Sequence, residues 1–226
     1  MRRTLALTLM ILTLLSAALP GMAAGKLTVT EEAAIALPEQ SMYKVSGVII
    51  NEGKQAADIG FIRVELLDKK GKTLRGGDNI ALPHHLEPGE SAYFGVTLSD
   101  LDSKALAAVD KHAVSITEEK GEGLILLPAA VITPLDQINE EEGLLAEYTN
   151  NTGAGLASVR VVWVLRDEAG KLIDVLISRS KFQEPLADGA KSEAGYYFSW
   201  MTPSLADCLE KGLDKGSAAC LVFAIK

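Results

Sequence analysis

The sequence predicts an all-β chain of two tandem β-sandwich domains, each with a short helix before its last strand. The first supporting observation is an internal repeat, because residues 51–68 align without a gap on residues 150–167 at an offset of 99. The second is a period of two along Ile62–Leu66 and Val161–Leu165, which points one side of each strand into a core. The third is the frequent Gly, Asn and Pro between short apolar segments, which is typical of turns between strands.

The first 24 residues have the features of a secretory signal peptide. Arg2–Arg3 gives a positive start, Leu5–Leu19 is predominantly apolar, and Ala23–Ala24 offers small residues for cleavage. The apolar segment is short for a membrane anchor, which needs about 20 such residues. We therefore expect residues 1–24 to be removed, leaving a periplasmic or secreted protein with no stable membrane insertion.

The rest of the chain divides into two predicted domains, residues 25–120 and 121–226, joined by the charged stretch Glu118–Gly123. This junction is short, so we expect coupled domains that still fold as separate halves. One helix is expected over 100–108 and the other from Thr202–Pro203, with Thr as the N-cap and Pro as the first helical residue. The predicted strands are Tyr43–Asn51, Ile62–Leu66, Ala113–Thr117, Leu144–Asn150, Val161–Leu165, Lys171–Ser180 and Ala219–Ile225.

Three stretches of the first copy resemble the bacterial FxLYD-type domain family. They are the strand Tyr43–Asn51 that ends in Asn, the Leu-x-Asp hairpin within Val64–Gly71, and the Leu-x-Pro-Gly turn within Leu86–Phe94. The resemblance implies an immunoglobulin-like (Ig-like) sandwich in an exported bacterial protein, and a weaker set of matches extends it to the second copy. The family brings no defined catalytic residues, so the resemblance implies a fold and a compartment but no activity.

The composition argues against a nucleic-acid binder and gives no sign of an enzyme. The chain has 22 Lys and Arg against 30 Asp and Glu, a net charge of −8 that becomes −10 when Arg2 and Arg3 are removed. Nucleic-acid binding needs a basic surface instead. The sequence contains no nucleophile–base, zinc or phosphate-loop motif, so we expect no catalytic residue, metal or cofactor. His84–His85 would point to opposite faces of a strand, and we expect an exposed loop pair rather than a metal site.

The two cysteines, Cys208 and Cys220, both lie in the second copy. In an exported protein this pair predicts a disulfide that links the second helix to the last strand. Two buried free thiols are the alternative. The first copy has no equivalent pair, so the bond would stabilise the second domain alone.

Aromatic residues near the end of the second copy are candidates for partner binding. Tyr196, Tyr197 and Trp200 form this candidate set, with core filling as the alternative. Tyr196 and Tyr197 are consecutive, so a regular strand points at least one of them away from the core. The pair Tyr197–Phe198 is interpreted as the counterpart of Tyr93–Phe94 in the first copy, with a few residues inserted in the second. The edge of the terminal strand Ala219–Lys226 is a further candidate, because no loop follows to cover it.

Together these observations predict an exported, non-enzymatic binding or scaffolding protein that recognises another exported protein or a surface polymer. The alternatives are an accessory subunit of an envelope enzyme and a periplasmic pilus-type chaperone. The second alternative fits two exported sandwich domains, but the chain lacks a basic anchor pattern for it.

Overall fold

Antiparallel strands form almost all of the ordered structure, which confirms the prediction of an all-β chain. The computed structural model describes residues 26–119, 123–199 and 202–225. No helix in this part of the chain is long and apolar enough to cross a membrane. The strands of the first half are β1 (Leu27–Leu37), β2 (Met42–Asn51), β3 (Ala57–Asp58), β4 (Phe61–Leu67), β5 (Thr73–Leu82), β6 (His85–Leu86), β7 (Ser91–Leu98) and β8 (Lys111–Ile116). Those of the second half are β9 (Leu124–Leu127), β10 (Ala129–Val131), β11 (Leu144–Thr149), β12 (Leu156–Arg166), β13 (Leu172–Leu186), β14 (Lys191–Tyr196) and β15 (Ser217–Ile225).

The same pattern of strand pairing occurs twice along the chain, as the internal repeat predicts. In the first half, β2 pairs with β1 and β7, and β4 pairs with β5 and β8. In the second half, β11 pairs with β10 and β14, and β12 pairs with β13 and β15. The halves differ in how their layers join. The first half joins both layers in one six-stranded sheet, β1-β2-β7-β5-β4-β8, beside the small sheet β3-β6. The second half has two separate sheets, β10-β11-β14 and β13-β12-β15-β9.

A buried asparagine fixes the same loop in both halves. Asn51 Nδ2 donates to the carbonyls of Gln55 and Leu86 at 2.8 and 3.0 Å. Asn150 Nδ2 donates to the carbonyls of Ala154 and Leu186 at 2.7 and 2.9 Å. Both asparagines are fully buried. Each buried amide therefore has acceptors for its donor group, as a buried polar side chain requires, and it links the turn that follows it to a residue 35 or 36 positions further along the chain.

A short helix precedes the last strand of each half, as predicted. The first, α1 (Ser103–Ala108), begins after Asp102, whose carboxylate accepts from the Ala105 backbone N–H at 2.6 Å. The second, α2 (Leu205–Glu210), has Ser204 as its N-cap, not Thr202 as predicted. Ser204 and Asp207 form a reciprocal capping box, which satisfies two orphan backbone donors where Thr202 would satisfy one.

Three apolar clusters hold the structure together, and one of them lies between the halves. The first-half core is centred on Ile62, Val64 and Phe94, and the second-half core on Trp163 and Tyr196. The third, the interface cluster, draws on both halves. Its buried members are Val48, Leu82, Val162, Val164, Leu172, Val175 and Phe223.

A buried ion pair crosses the same interface. Lys44 Nζ of β2 lies 2.7 Å from Asp174 Oδ2 of β13, and each side chain is only 2% exposed. Asp174 also accepts from Ser46 Oγ at 2.7 Å and from Tyr196 OH at 2.9 Å. Its carboxylate is thus saturated by donors from both halves. At the surface of the interface, Arg166 pairs with both carboxylate oxygens of Glu31.

The terminal strand β15 is paired on both sides, so the prediction of an open edge along it is wrong for part of its length. β12 pairs with it along Ser217–Ala224, and β9 pairs with Val222–Ile225 on the other side. The covering strand comes from the start of the second half rather than from a loop after β15.

Removal of the Asp174 carboxylate is expected to destabilise the whole chain. Asp174→Ala should lower the free energy of unfolding by about 3–5 kcal/mol, because Lys44 would remain buried without a counter-charge. Glu147→Ala is the control, since it breaks an exposed pair with Lys191 and should cost no more than about 1 kcal/mol. Urea unfolding of both variants measures the difference. Equal midpoints for the two variants would contradict a structural role for the buried pair.

The duplicated asparagine gives a second prediction. Asn150→Ala should lower the free energy of unfolding by about 1–3 kcal/mol, because the fully buried side chain and its part-buried hydrogen bonds to the carbonyls of Ala154 and Leu186 are lost. The neighbouring Asn151 is exposed, so Asn151→Ala should change stability by less than about 0.5 kcal/mol. Thermal and urea unfolding of the two variants separates the effect of the Asn150 hydrogen bonds from a general effect of changing the turn. An Asn150→Ala variant as stable as the wild type would refute the role of these hydrogen bonds.

Candidate recognition groove

The consecutive tyrosines near the end of β14 point in opposite directions. Tyr196 is fully buried, whereas Tyr197 is 53% exposed. The alternation expected of a strand is therefore present, but the prediction that Tyr196 contacts a partner is wrong, because its ring fills the core. Trp200, the third candidate, lies outside the described residues.

Tyr196 has a structural role at the centre of the second-half core. Its ring makes edge-on contacts with Trp163 and Phe198, with centroids 6.3 and 5.2 Å apart. Burial, and then the nearby Asp174 carboxylate, raise the pKa of the Tyr196 hydroxyl well above its ordinary value. The hydroxyl therefore stays protonated and donates to Asp174, which connects this core to the ion pair between the halves.

A glycine makes room for the Tyr197 ring over its own strand. A Cβ atom on Gly195 would lie 2.5 Å from Tyr197 Cε2 and 2.7 Å from its hydroxyl oxygen. The absence of a side chain at Gly195 therefore allows the ring to lie over the strand at this point.

The Tyr197 ring borders a groove between β13 and β14, which we call the β13–β14 groove. Both are edge strands of their sheets. Val161 of β12 pairs with Ser178, and the two side chains share the core-facing side of the sheet. The groove is lined chiefly by Val161, Leu176, Ser178, Ser180, Ala194 and Tyr197. Three small side chains, Ser178, Ser180 and Ala194, form part of its walls.

Comparison of the two halves shows a difference in side-chain size beside the groove. The strand pairs Gly47–Phe94 and Ala146–Ala194 occupy equivalent places, as the registers from Asn51 and Asn150 require. In the first half the fully buried Phe94 ring lies over Gly47, where a Cβ atom would be 2.4 Å from the ring. In the second half the equivalent residue is the small, buried Ala194. The aromatic pair Tyr93–Phe94 of the first copy therefore corresponds to Glu193–Ala194 in the second. The predicted alignment of Tyr93–Phe94 with Tyr197–Phe198 is wrong, because the second copy has no residues inserted before this pair.

Main-chain pairing also differs at this place. In the first half, Ala81 and Leu82 of β5 pair with Phe94 and Tyr93 of β7, and this joins the two layers. Within residues 123–199 and 202–225, β13 and β14 form no such ladder. The second half is consequently open along the seam that the first half closes.

The two cysteines are buried free thiols, so the structure does not contain the predicted disulfide. Cys208 of α2 and Cys220 of β15 belong to the same core cluster, and Cys220 stands opposite Trp163. Burial is the main cause that raises the pKa of each thiol to about 12. Both residues pack as small apolar side chains, the alternative that the sequence left open.

The adjacent histidines point to opposite sides, as expected, but only one is exposed. His84 is buried, at 7% exposure. His85 Nδ1 lies 2.7 Å from Asp58 Oδ1, and this hydrogen bond raises the pKa of the imidazole. The described part of the chain has no group of three or more His, Cys, Asp or Glu placed to hold a metal ion.

Sequence reasoning missed the residues that join the halves. Lys44 and Asp174 are single charges within otherwise apolar strand segments, Tyr43–Val45 and Ile173–Val175. One is basic and lies in the first copy, and the other is acidic and lies in the second. These two isolated and opposite charges were the available signal of an ion pair between the halves, since a charge in a buried strand needs a partner.

Comparisons with known proteins assign no family to this chain. No protein-family model matches it. No curated protein matches it significantly. The resemblance of the first half to FxLYD-type domains stays a prediction, and function has to be argued from the geometry.

Thiol accessibility gives a third prediction. Iodoacetamide at about pH 8 should label neither cysteine in the native protein, because burial and a pKa of about 12 suppress the thiolate at both residues. Without any reductant, the urea-unfolded chain should take up two labels. Ser103→Cys places a thiol at an exposed site and should react before unfolding, as the positive control. An unfolded chain that takes no label without reductant would mean that the cysteines are bonded.

Proposed function

We propose that this protein is an exported, non-enzymatic binding or scaffolding protein that recognises another exported protein or a surface polymer. The observation that carries the proposal is the β13–β14 groove with the exposed Tyr197 ring at its border. A tyrosine offers a large amphipathic contact and has only two side-chain torsions to order on binding. The position of the ring over Gly195, beside the groove, supports such a contact.

The proposal includes the fold and the compartment predicted from the sequence. We propose that each half is an Ig-like β-sandwich domain, which the repeated strand order and the separate apolar core of each half support. Residues 1–24 lie outside the described residues. Their charge and apolar pattern is the support for export to the periplasm or the exterior.

The chemistry of the groove favours binding over catalysis. The lining residues include apolar side chains, one arginine and one glutamate, and the hydroxyl groups are those of Ser178, Ser180, Tyr197, Ser199 and Thr202. A serine or threonine hydroxyl is a weak nucleophile unless an adjacent base activates it. Glu193 lies next to Ala194 on β14 and so points to the opposite face from the buried Ala194 side chain.

Capture of a partner from envelope extract tests the proposal. Tyr197→Ala should lower recovery of the bound partner at least fivefold, because the variant removes the exposed ring without touching the buried Tyr196. Phe61→Ala is the matched control. Phe61 is an aromatic residue of similar exposure, 50%, in the first half, and its loss should leave recovery unchanged.

Two results would contradict the proposal. Equal recovery by wild type and a correctly folded Tyr197→Ala would remove the groove border from the binding surface. Turnover of a panel of hydrolase substrates by the pure protein, abolished in Ser178→Ala, would overturn the non-enzymatic role.

A further inference from the structure

We propose that the β13–β14 groove binds an extended polypeptide with alternating apolar and acidic residues, which adds as a strand to the open edge of β13. This inference rests on the proposed binding function and names the chemistry of its partner. It follows from three independent properties of β13: its main-chain direction, the space beside it and its charge.

Among the described residues, the main chain of β13 has no strand partner on its groove side. The Val175 carbonyl accepts from Ser46 Oγ of the first half at 3.3 Å, so it points away from β12. Because backbone groups alternate along an antiparallel strand, those of Ile177, Arg179 and Lys181 point to the same side. The first half covers this edge at Asp174 and Val175. The edge beyond them continues from an interface that already exists, and it has the form that strand addition requires.

The space beside the edge fits apolar side chains. The first three core-facing positions of β13 beyond Asp174 are Leu176, Ser178 and Ser180, which pair with Trp163, Val161 and Val159 of β12. Both serines are exposed, and Leu176 and Ala194 line the groove beside them. The inner face of an added strand therefore meets small and apolar side chains, which favours an apolar residue at every second position.

The opposite face of β13 is basic. Arg179 and Lys181 both point away from the core, both are exposed, and no acidic residue lies between Val175 and Gln183. This contrasts with the net charge of −8 for the chain. Residues of opposite charge directly across two strands attract each other, and those of like charge repel. The outward side chains of the added strand are accordingly acidic.

Peptide binding tests the inference directly. The probe is a fluorescent heptapeptide that alternates Glu and Val, and its binding to the full-length protein is followed by anisotropy. It should bind at least fivefold more tightly than the equivalent peptide of Lys and Val. A peptide with the same composition in block order, and one with alternate backbone nitrogens methylated, should bind at least tenfold more weakly, because they lose the face pattern and the main-chain donors respectively.

Two variants probe the two faces separately. Ser178→Phe places an aromatic ring at an exposed position that lines the groove and should abolish binding of the probe while the thermal melt stays cooperative. Arg179→Glu should weaken binding of the acidic probe about fivefold and reverse the preference in favour of the Lys peptide. Lys111→Glu reverses an exposed charge on β8, an edge strand of the first half, and should leave affinity unchanged.

Several outcomes would overturn the inference. They are no binding of the alternating probe, equal binding of the methylated peptide, or wild-type affinity in Arg179→Glu. Self-association of the protein that Arg179→Glu abolishes, with no peptide binding, would assign the edge to a second copy instead. Loss of peptide binding with retained capture of an envelope partner through Tyr197 would refute strand addition and leave the proposed function intact.

Discussion

The buried pair of Lys44 and Asp174 is the constraint on which the arrangement of the two halves depends. Removing two charges from water costs several kcal/mol per ion, and attraction offsets this only when the remaining hydrogen bonds are also made. Ser46 and Tyr196 make them at Asp174. The four groups lie on strands of different halves, so they are all satisfied in one relative position only. Apolar contacts in the interface cluster favour association, but the ion pair selects the geometry.

That geometry has a consequence for the repeat. The first half packs against the beginning of β13 and leaves the rest of its edge uncovered. In the first half the strand equivalent to β13 is β5, and pairing with β7 covers part of its edge. Phe94 of β7 lies in the core beside it. The second half places its large aromatic residues elsewhere, as Trp163 and Tyr196, and has Ala194 at the position of the ring. The two copies share a topology but divide their roles: one supports, and the other presents a surface.

Features set by local physics could be predicted from the sequence, whereas features set by contacts between the halves could not. The strand pairs, the Asp-x-x-Gly hairpins and the cap at Asp102 follow from patterns within a few residues. Alternation along a strand predicts that one of Tyr196 and Tyr197 is buried and the other exposed. Which of them is buried depends on the strand register that Asn150 fixes. β9, β10 and the long extension of β13 were missed because short or polar strand segments have no distinctive periodicity. The state of Cys208 and Cys220 depends on the three-dimensional placement of two side chains, which their spacing does not define.

The glycine at position 95 shows how closely the halves fit. A Cβ atom there would lie 2.4 Å from the Val175 carbonyl oxygen, inside van der Waals contact. The equivalent glycine of the second copy, Gly195, instead accommodates the Tyr197 ring. A methyl group at position 95 would therefore require the main chains of β7 and β13 to move apart at this contact. The missing side chain of one residue thus sets how closely the first half approaches the edge of β13.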